Sequence, residues 1–157
     1  MTLYHGSTID IEKIDLALSK PNKDFGRAFY LSVDRQQALE MAQFRAEFEE
    51  TEPVVNVYEF DETLFQEFRY KRFEAYTEEW AHFVYDHRTE PHGRTLHDYD
   101  IVYGPIANDR VGAQIARYKQ GYITFDEFLR RIQYIKGITF QYAFCTQRAI
   151  DKLQKVL

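Results

Sequence analysis

Six short segments of extended character are spread unevenly along the chain, and their spacing constrains the fold more than any other feature. Residues 2–7, 27–32, 53–60, 99–103 and 138–145 carry apolar, β-branched and aromatic side chains, and 9–14 sets isoleucines among charges; each reads as a strand. Gly104-Pro105 closes the fifth segment, and residues 19–26 form a turn-rich loop before the strand at 27–32. Between these lie helical patterns. Asp34 caps a predicted helix to about Glu50, in which Ala38, Met41, Ala42 and Phe48 recur at three- and four-residue steps and Arg45 is the polar exception. Residues 61–88 predict helix in two pieces, striped by Leu64, Phe65, Phe68, Phe73, Tyr76, Trp80, Phe83 and Val84. Asn108 caps a predicted helix stopped by Gly121, and Thr124 with Glu127 forms a capping box opening a helix to about Ile135. Thr146 caps a last predicted helix to about Leu157. Strands separated so irregularly by helices do not build regular βαβ units, and the predicted class is α+β.

The chain has 157 residues, which suits one domain spanning 1–157. Its 45% hydrophobic and 17% aromatic content excludes disorder as the main state. A net charge of −5 excludes nonspecific nucleic-acid binding through a global basic field. The single Cys145 excludes an intrachain disulfide and a cysteine-rich metal site. No apolar run approaches the roughly 20 residues of a membrane helix. The first ten residues show neither the basic nor the apolar region of a secretory signal. The expected location is therefore the cytoplasm, with no membrane contact.

Three of the strand segments place a functional group beside small residues. Tyr4-His5-Gly6-Ser7 ends the first, Phe25-Gly26-Arg27-Ala28-Phe29-Tyr30-Leu31-Ser32 spans the third, and Thr139-Phe140-Gln141-Tyr142-Ala143 opens the last. Alternation along the last strand puts Phe140, Tyr142 and Phe144 on one face, which reads as core. The opposite face, with Thr139, Gln141, Ala143 and Cys145, either lines a cleft or meets solvent. Gly6 permits close approach to its backbone, and Tyr30 offers a ring on which a planar heterocycle can stack. Each motif taken singly also fits a purely structural role.

Together, in this order, the motifs resemble the ADP-ribosyltransferase superfamily, in its diphtheria-toxin-like and poly-ADP-ribose-polymerase-like branch. That branch has a strand ending His-Gly-Ser/Thr, matched by His5-Gly6-Ser7. A Phe-Gly-Lys-Gly-(aromatic or Ile)-Tyr-(apolar)-small strand with a following helix is matched by Phe25 to Ser32 and residues 34–50. A Glu or a substitute comes from a late strand. More narrowly, LYHGS, PNKDFGRAFYLS, DIVYGPIANDR and QYAFCTQRAIDKL resemble a bacterial domain family of uncharacterised function within the superfamily, some of whose members look like toxins of toxin–antitoxin pairs. The resemblance implies a split, mostly antiparallel sheet with surrounding helices. It implies NAD as substrate, an acceptor of unspecified class (protein or nucleic acid) and a small antitoxin partner; no metal is expected.

The implied function is mono-ADP-ribosyl transfer, with His5, Tyr30 and Gln141 as the catalytic set and His5, Gly6, Ser7, Arg27, Tyr30 and Ser32 binding NAD. His5 holds a ribose hydroxyl, the Gly6 backbone grips the nicotinamide amide, Tyr30 stacks on the ring, Ser32 hydrogen-bonds nearby, Arg27 meets a phosphate and Gln141 meets the ribose 2′-hydroxyl. Two departures matter. Ala28 replaces a usual glycine, and Gln141 stands where the superfamily places its catalytic Glu, with no acidic residue between Ile138 and Cys145. An amide orients a hydroxyl but takes no proton. So the chain transfers ADP-ribose slowly, or its acceptor brings a base, or it is an inactive nucleotide-binding or protein-interaction module. A ribonuclease-like toxin using His5 is a further alternative.

Other groups read as structural. His82, His87, His92 and His97 recur every fifth residue, which lines no helix face. Arg69, Lys71 and Arg72 alternate with aromatics in a pattern that also occurs in single-strand nucleic-acid binders, and Glu47, Glu49 and Glu50 read as a solvated helix end. Cys145 reads as a small buried residue, and Tyr99-Asp100 and Asn108-Asp109-Arg110 as caps around a Gly-Pro turn.

Overall fold

Alternation between two buried faces organises the sheet in the computed structural model, which describes residues 1–133 and 137–156. Among these residues seven strands form one sheet: β1 (Thr2–Ser7), β2 (Phe29–Ser32), β3 (Val54–Glu59), β4 (Tyr70–Arg72), β5 (Ile101–Pro105), β6 (Phe140–Phe144) and β7 (Gln154–Lys155). The order is β4-β5-β6-β2-β1-β3-β7, and only β4 and β5 run parallel. Five helices accompany it: α1 (Arg35–Glu49), α2 (Glu78–Thr89), α3 (Val111–Lys119), α4 (Phe125–Arg131) and α5 (Gln147–Ile150). The architecture is α+β with a mixed, mostly antiparallel sheet.

Facing residues of β5 and β6 show how the two sides differ. Val102 and Ala143 pair, and both join a core beneath α2, α3 and α4 with Phe25, Trp80, Val84, Ile115 and Phe128. Their neighbours Ile101 and Phe144 also pair, and both join a second core with Leu3, Phe29, Leu31, Tyr58, Phe60, Tyr142 and Ile150. The small face of β6 is therefore buried as fully as its aromatic face. Trp80 anchors α2, its indole N–H donating to the Pro105 carbonyl at 3.1 Å. Thr77, Thr124 and Thr146 cap α2, α4 and α5 through their side-chain oxygens, each cap contributing about 1 kcal/mol.

The helix α1 is capped by Asp34, which accepts from the Gln36 N–H at 2.8 Å. It lies on the sheet through Ala38, Ala42 and Ala46, all buried. A Cβ added to Gly6 would sit 2.1 Å from the Ala38 carbonyl oxygen and 2.9 Å from the Ala42 nitrogen. The helix thus rests backbone against backbone on β1.

Several expectations are corrected. Residues 9–14 form bends rather than a strand, because buried Asn56 takes their polar groups: it accepts from the Ile11 N–H and donates to the Ile9 carbonyl. In α1 the buried stripe is alanine, while Met41, Phe44 and Phe48 are exposed. The stretch 61–88 does carry two helical pieces, a 3-10 helix (Glu62–Glu67) and α2, but the unexpected strand β4 separates them. Gly104 and Pro105 lie inside β5. The helix after Asn108 starts only at Val111, with Arg110 at its N-cap and no side-chain cap bond. The last helix is one turn long, followed by β7; the expected helix ends at Ile135 and Leu157 lie outside the described residues.

Candidate active site

The centre of the sheet is where its pairing is weakest. β1 pairs with β3 over six positions but with β2 at only one, Tyr4 with Ser32. The sheet is split beyond that pair, and the imidazole of His5 occupies the gap. Its Nδ1 lies 2.6 Å from the Tyr30 carbonyl, and its ring stacks on Phe29 at 4.2 Å. A carbonyl only accepts, so Nδ1 carries the hydrogen and the neutral ring keeps a lone pair on Nε2. Burial lowers the His5 pKa below its ordinary 6.5, opposed by the bond to the Tyr30 carbonyl and aided by the Arg45 charge. The ring is a neutral acceptor, fixed in one tautomer.

A narrow cavity opens there. Its lining includes Tyr4, His5, Gly6, Tyr30, Ser32 and Gln141, with Gln37, Ala38 and Met41 contributed by α1. Ser32 and Gln141 are cross-strand partners on β2 and β6, and Tyr30 faces Ala143 two pairs further along, on the same side of the sheet. The residues His5, Tyr30 and Gln141, predicted to converge, all border one cleft. A larger cavity between Glu12, Tyr58, Ile150 and Lys155 lies at the β3–β7 edge and contains none of them.

The other predicted residues divide. The Tyr30 hydroxyl donates to the Gly26 carbonyl at 2.7 Å and accepts from the Phe25 N–H at 2.9 Å, so only its ring is left for a ligand. Burial, with the Asp24 and Cys145 charges adding to it, pushes its pKa well above 10. Ser32 donates to the Gln37 side chain and accepts from the Asp34 N–H. Gly6 lines the cleft, but the space of its missing side chain is taken by α1. Ser7 accepts from the Ile9 N–H in a local turn, and Arg27 reaches the carbonyls of Ala17 and Ser19; neither borders the cavity.

Sequence reasoning missed Asp24. It is buried and lies in the loop before β2, where Oδ1 accepts from Arg88 Nε at 2.8 Å and from a terminal guanidinium nitrogen at 2.6 Å. Its Oδ2 lies 3.3 Å from the Gln141 amide nitrogen. The loop is fastened on several sides. Asn22 donates to the His87 and Glu90 carbonyls, His97 bonds the Phe25 carbonyl, and Gly26 turns at φ +89° where a Cβ would press on Thr95.

The remaining candidates are occupied. His87 and His97 lie 5.3 Å apart, and each bonds backbone through both ring nitrogens. His82 stacks on Phe125. Arg69, Lys71 and Arg72 pair with Asp98, Glu79 and Glu74. Burial pushes the Cys145 thiol up to about 12. Asn108 bonds the Arg131 and Gln133 carbonyls. Among the described residues no group of three or more His, Cys, Asp or Glu side chains is arranged to hold a metal ion, and no helix is long and apolar enough to cross a membrane.

Residues 1–155 match the sequence model of a family described as “Protein of unknown function (DUF3990)”, and the chain belongs to that family. No curated protein and no solved structure matches it.

Proposed function

We propose that this family member is an NAD-dependent mono-ADP-ribosyltransferase whose substrate enters the cleft between β1 and β2. The observation that carries the reading is the convergence of His5, Tyr30 and Gln141 on one cavity. The chemistry available there suits a nicotinamide riboside. His5 Nε2 accepts from a ribose hydroxyl, the Tyr30 ring offers an aromatic surface, and Gln141 is a second hydroxyl partner. The cavity is narrow, and Met41 at its rim is half exposed, so a nicotinamide ring enters as Met41 and Gln37 move aside.

In the transfer, the bond between ribose C1′ and the nicotinamide nitrogen breaks and its electron pair returns to that nitrogen. Positive charge develops on the ribose as an oxocarbenium-like centre. The acceptor atom then bonds C1′ and passes its proton to a base carried by the acceptor itself. This chain's part is to hold the ribose hydroxyls by neutral acceptors and to exclude water. A preorganised charge at this point is worth about 2.7–4 kcal/mol, and Gln141 brings none, so turnover is slow. The same lack of charge favours a second reading, in which the cleft binds the nucleotide without cleaving it.

Incubation with NAD labelled in its adenylate half, with and without candidate acceptors, tests both. Free nicotinamide together with label on a macromolecule is the expected result. Saturable NAD binding without release supports the second reading, and the absence of binding, release and label overturns both.

A further inference from the structure

The cleft's amide stands where its superfamily resemblance expects a carboxylate, and the structure puts a carboxylate directly behind it. We propose that Asp24 and Arg88 are positioning residues that lock the Gln141 side chain with its carbonyl oxygen toward the cleft. A carboxylate only accepts hydrogen bonds, so the end of the Gln141 amide that faces Asp24 Oδ2 is its NH2 group. The carbonyl Oε1 therefore points away from Asp24. Arg88 fixes the carboxylate by two contacts to its other oxygen, which leaves Oδ2 for the amide. Arg88 belongs to α2, whose Trp80 is anchored to β5, and the Asp24 loop is tied to the same helix through Asn22. Asp24 and Gln141 are both buried, so water competes little for the contact.

The lock turns the accepting end of the Gln141 amide, not its NH2 end, away from Asp24 and toward the cleft. An unrestrained amide can turn its NH2 or its oxygen toward a ligand; this one offers an oxygen, as a Glu would, without the charge. A ligand group at that point has to donate, and a hydroxyl is the chemistry it selects. The Asp24 charge lies on the far side of the amide, neutralised by Arg88, so it polarises the amide without reaching the ligand.

The lock is independent of any ligand; its consequence for turnover rests on the reading of the cleft as an NAD site. The test uses the full chain labelled with 15N, with the Gln141 side-chain signals assigned by their loss in Gln141→Glu. Exchange of the two Gln141 amide protons with water is expected to be at least tenfold slower than for exposed glutamines. Asp24→Asn removes that protection, whereas Arg88→Lys, which keeps the carboxylate and a cation, retains most of it. In nicotinamide release from NAD, Asp24→Asn lowers kcat/KM about tenfold. Gln141→Glu alone sets two carboxylates against each other and lowers Tm. Adding Asp24→Asn restores a donor, raises Tm again and raises kcat/KM at least tenfold over Gln141→Glu. The paired comparison decides even where Asp24→Asn alone folds poorly. Unchanged protection in Asp24→Asn, or a paired variant no better than Gln141→Glu, overturns the proposal. Lost protection in Asp24→Asn with no NAD binding by the wild type upholds the lock and overturns the NAD reading instead.

Discussion

Gly6→Ala separates packing from ligand binding at the motif that ends β1. An added Cβ would lie 2.1 Å from the Ala38 carbonyl oxygen, where an ordinary C···O contact is about 3.3 Å. The helix or the strand has to retreat by roughly 1.2 Å. Neither obstacle is a flexible side chain: both nearest atoms belong to the helix backbone. The retreat loosens Ala38, Ala42 and Ala46 together, and a gap of 0.5–1 Å already forfeits about a quarter to a half of each contact's attraction. Overpacking costs about 1–3 kcal/mol, and rigid backbone on both sides puts this case near about 3 kcal/mol. For a chain of this size each kcal/mol lowers Tm by about 2–4 °C, so thermal unfolding followed by circular dichroism should show a fall of roughly 6–12 °C. Because Gln37, Ala38 and Met41 move with α1, ligand binding weakens as well. A glycine needed only for contact with a ligand would leave Tm of the free protein unchanged, and a Tm within 2 °C of wild type refutes the packing account.

Three further outcomes are expected. His5, His87 and His97 all have pKa values lowered by burial; the unfolded chain binds their protons first, so the stability they carry is complete above about pH 6.5 and falls as pH drops from there through their folded values, each by at most about 1.4 kcal/mol per pH unit. Urea unfolding free energies that stay flat from pH 7.5 to 5 would contradict this. Tyr30→Phe keeps the ring but leaves the Phe25 N–H and Gly26 carbonyl without their hydroxyl partner, at a cost of about 1–3 kcal/mol. Chemical denaturation should register that loss while NAD affinity changes less than in Tyr30→Ala; equal losses of affinity would show that the ring is not the contact. Glu50 ends α1 in the left-handed region at φ 55°, where glycine carries no Cβ penalty; Glu50→Gly should raise stability by about 1 kcal/mol, and a calorimetric Tm at or below wild type would count against it.

Capping chemistry was legible because it is local. Asp34, Thr124 and Thr146 all act as the caps expected of them, and the first and third of the motif strands, β1 and β6, lie where their residues place them. What failed was periodicity in short aromatic runs. Leu64 and Phe65 do lie in the 3-10 helix Glu62–Glu67, but the helical stepping runs on past Phe68 to where Tyr70 stacks on Phe65 at 4.3 Å and pairs with Ile101; a neighbouring strand overrode the local pattern there. In α1 the large side chains drew the eye to the wrong face. Alanine buries little area, but it lets a helix approach a glycine, a reason for its position that hydropathy does not register.

The site was legible as far as motif order could carry it, and no further. Asp24 and Gln141 are separated by 117 positions, and only the folded sheet sets the loop before β2 behind β6. The role of His5 was similarly half visible. Its position in a His-Gly-Ser triplet suggests a ligand contact, but the structure gives the side chain an earlier task. Where β1 and β2 part, the Tyr30 carbonyl loses the strand partner that a continuous ladder would supply, and the imidazole N–H takes that place. A β-branched apolar residue at position 5 would leave that carbonyl without its partner unless the strands closed up, and closing them would fill the cleft. One side chain therefore both keeps the sheet split and, through the tautomer that the split imposes, keeps its other ring nitrogen as a hydrogen-bond acceptor.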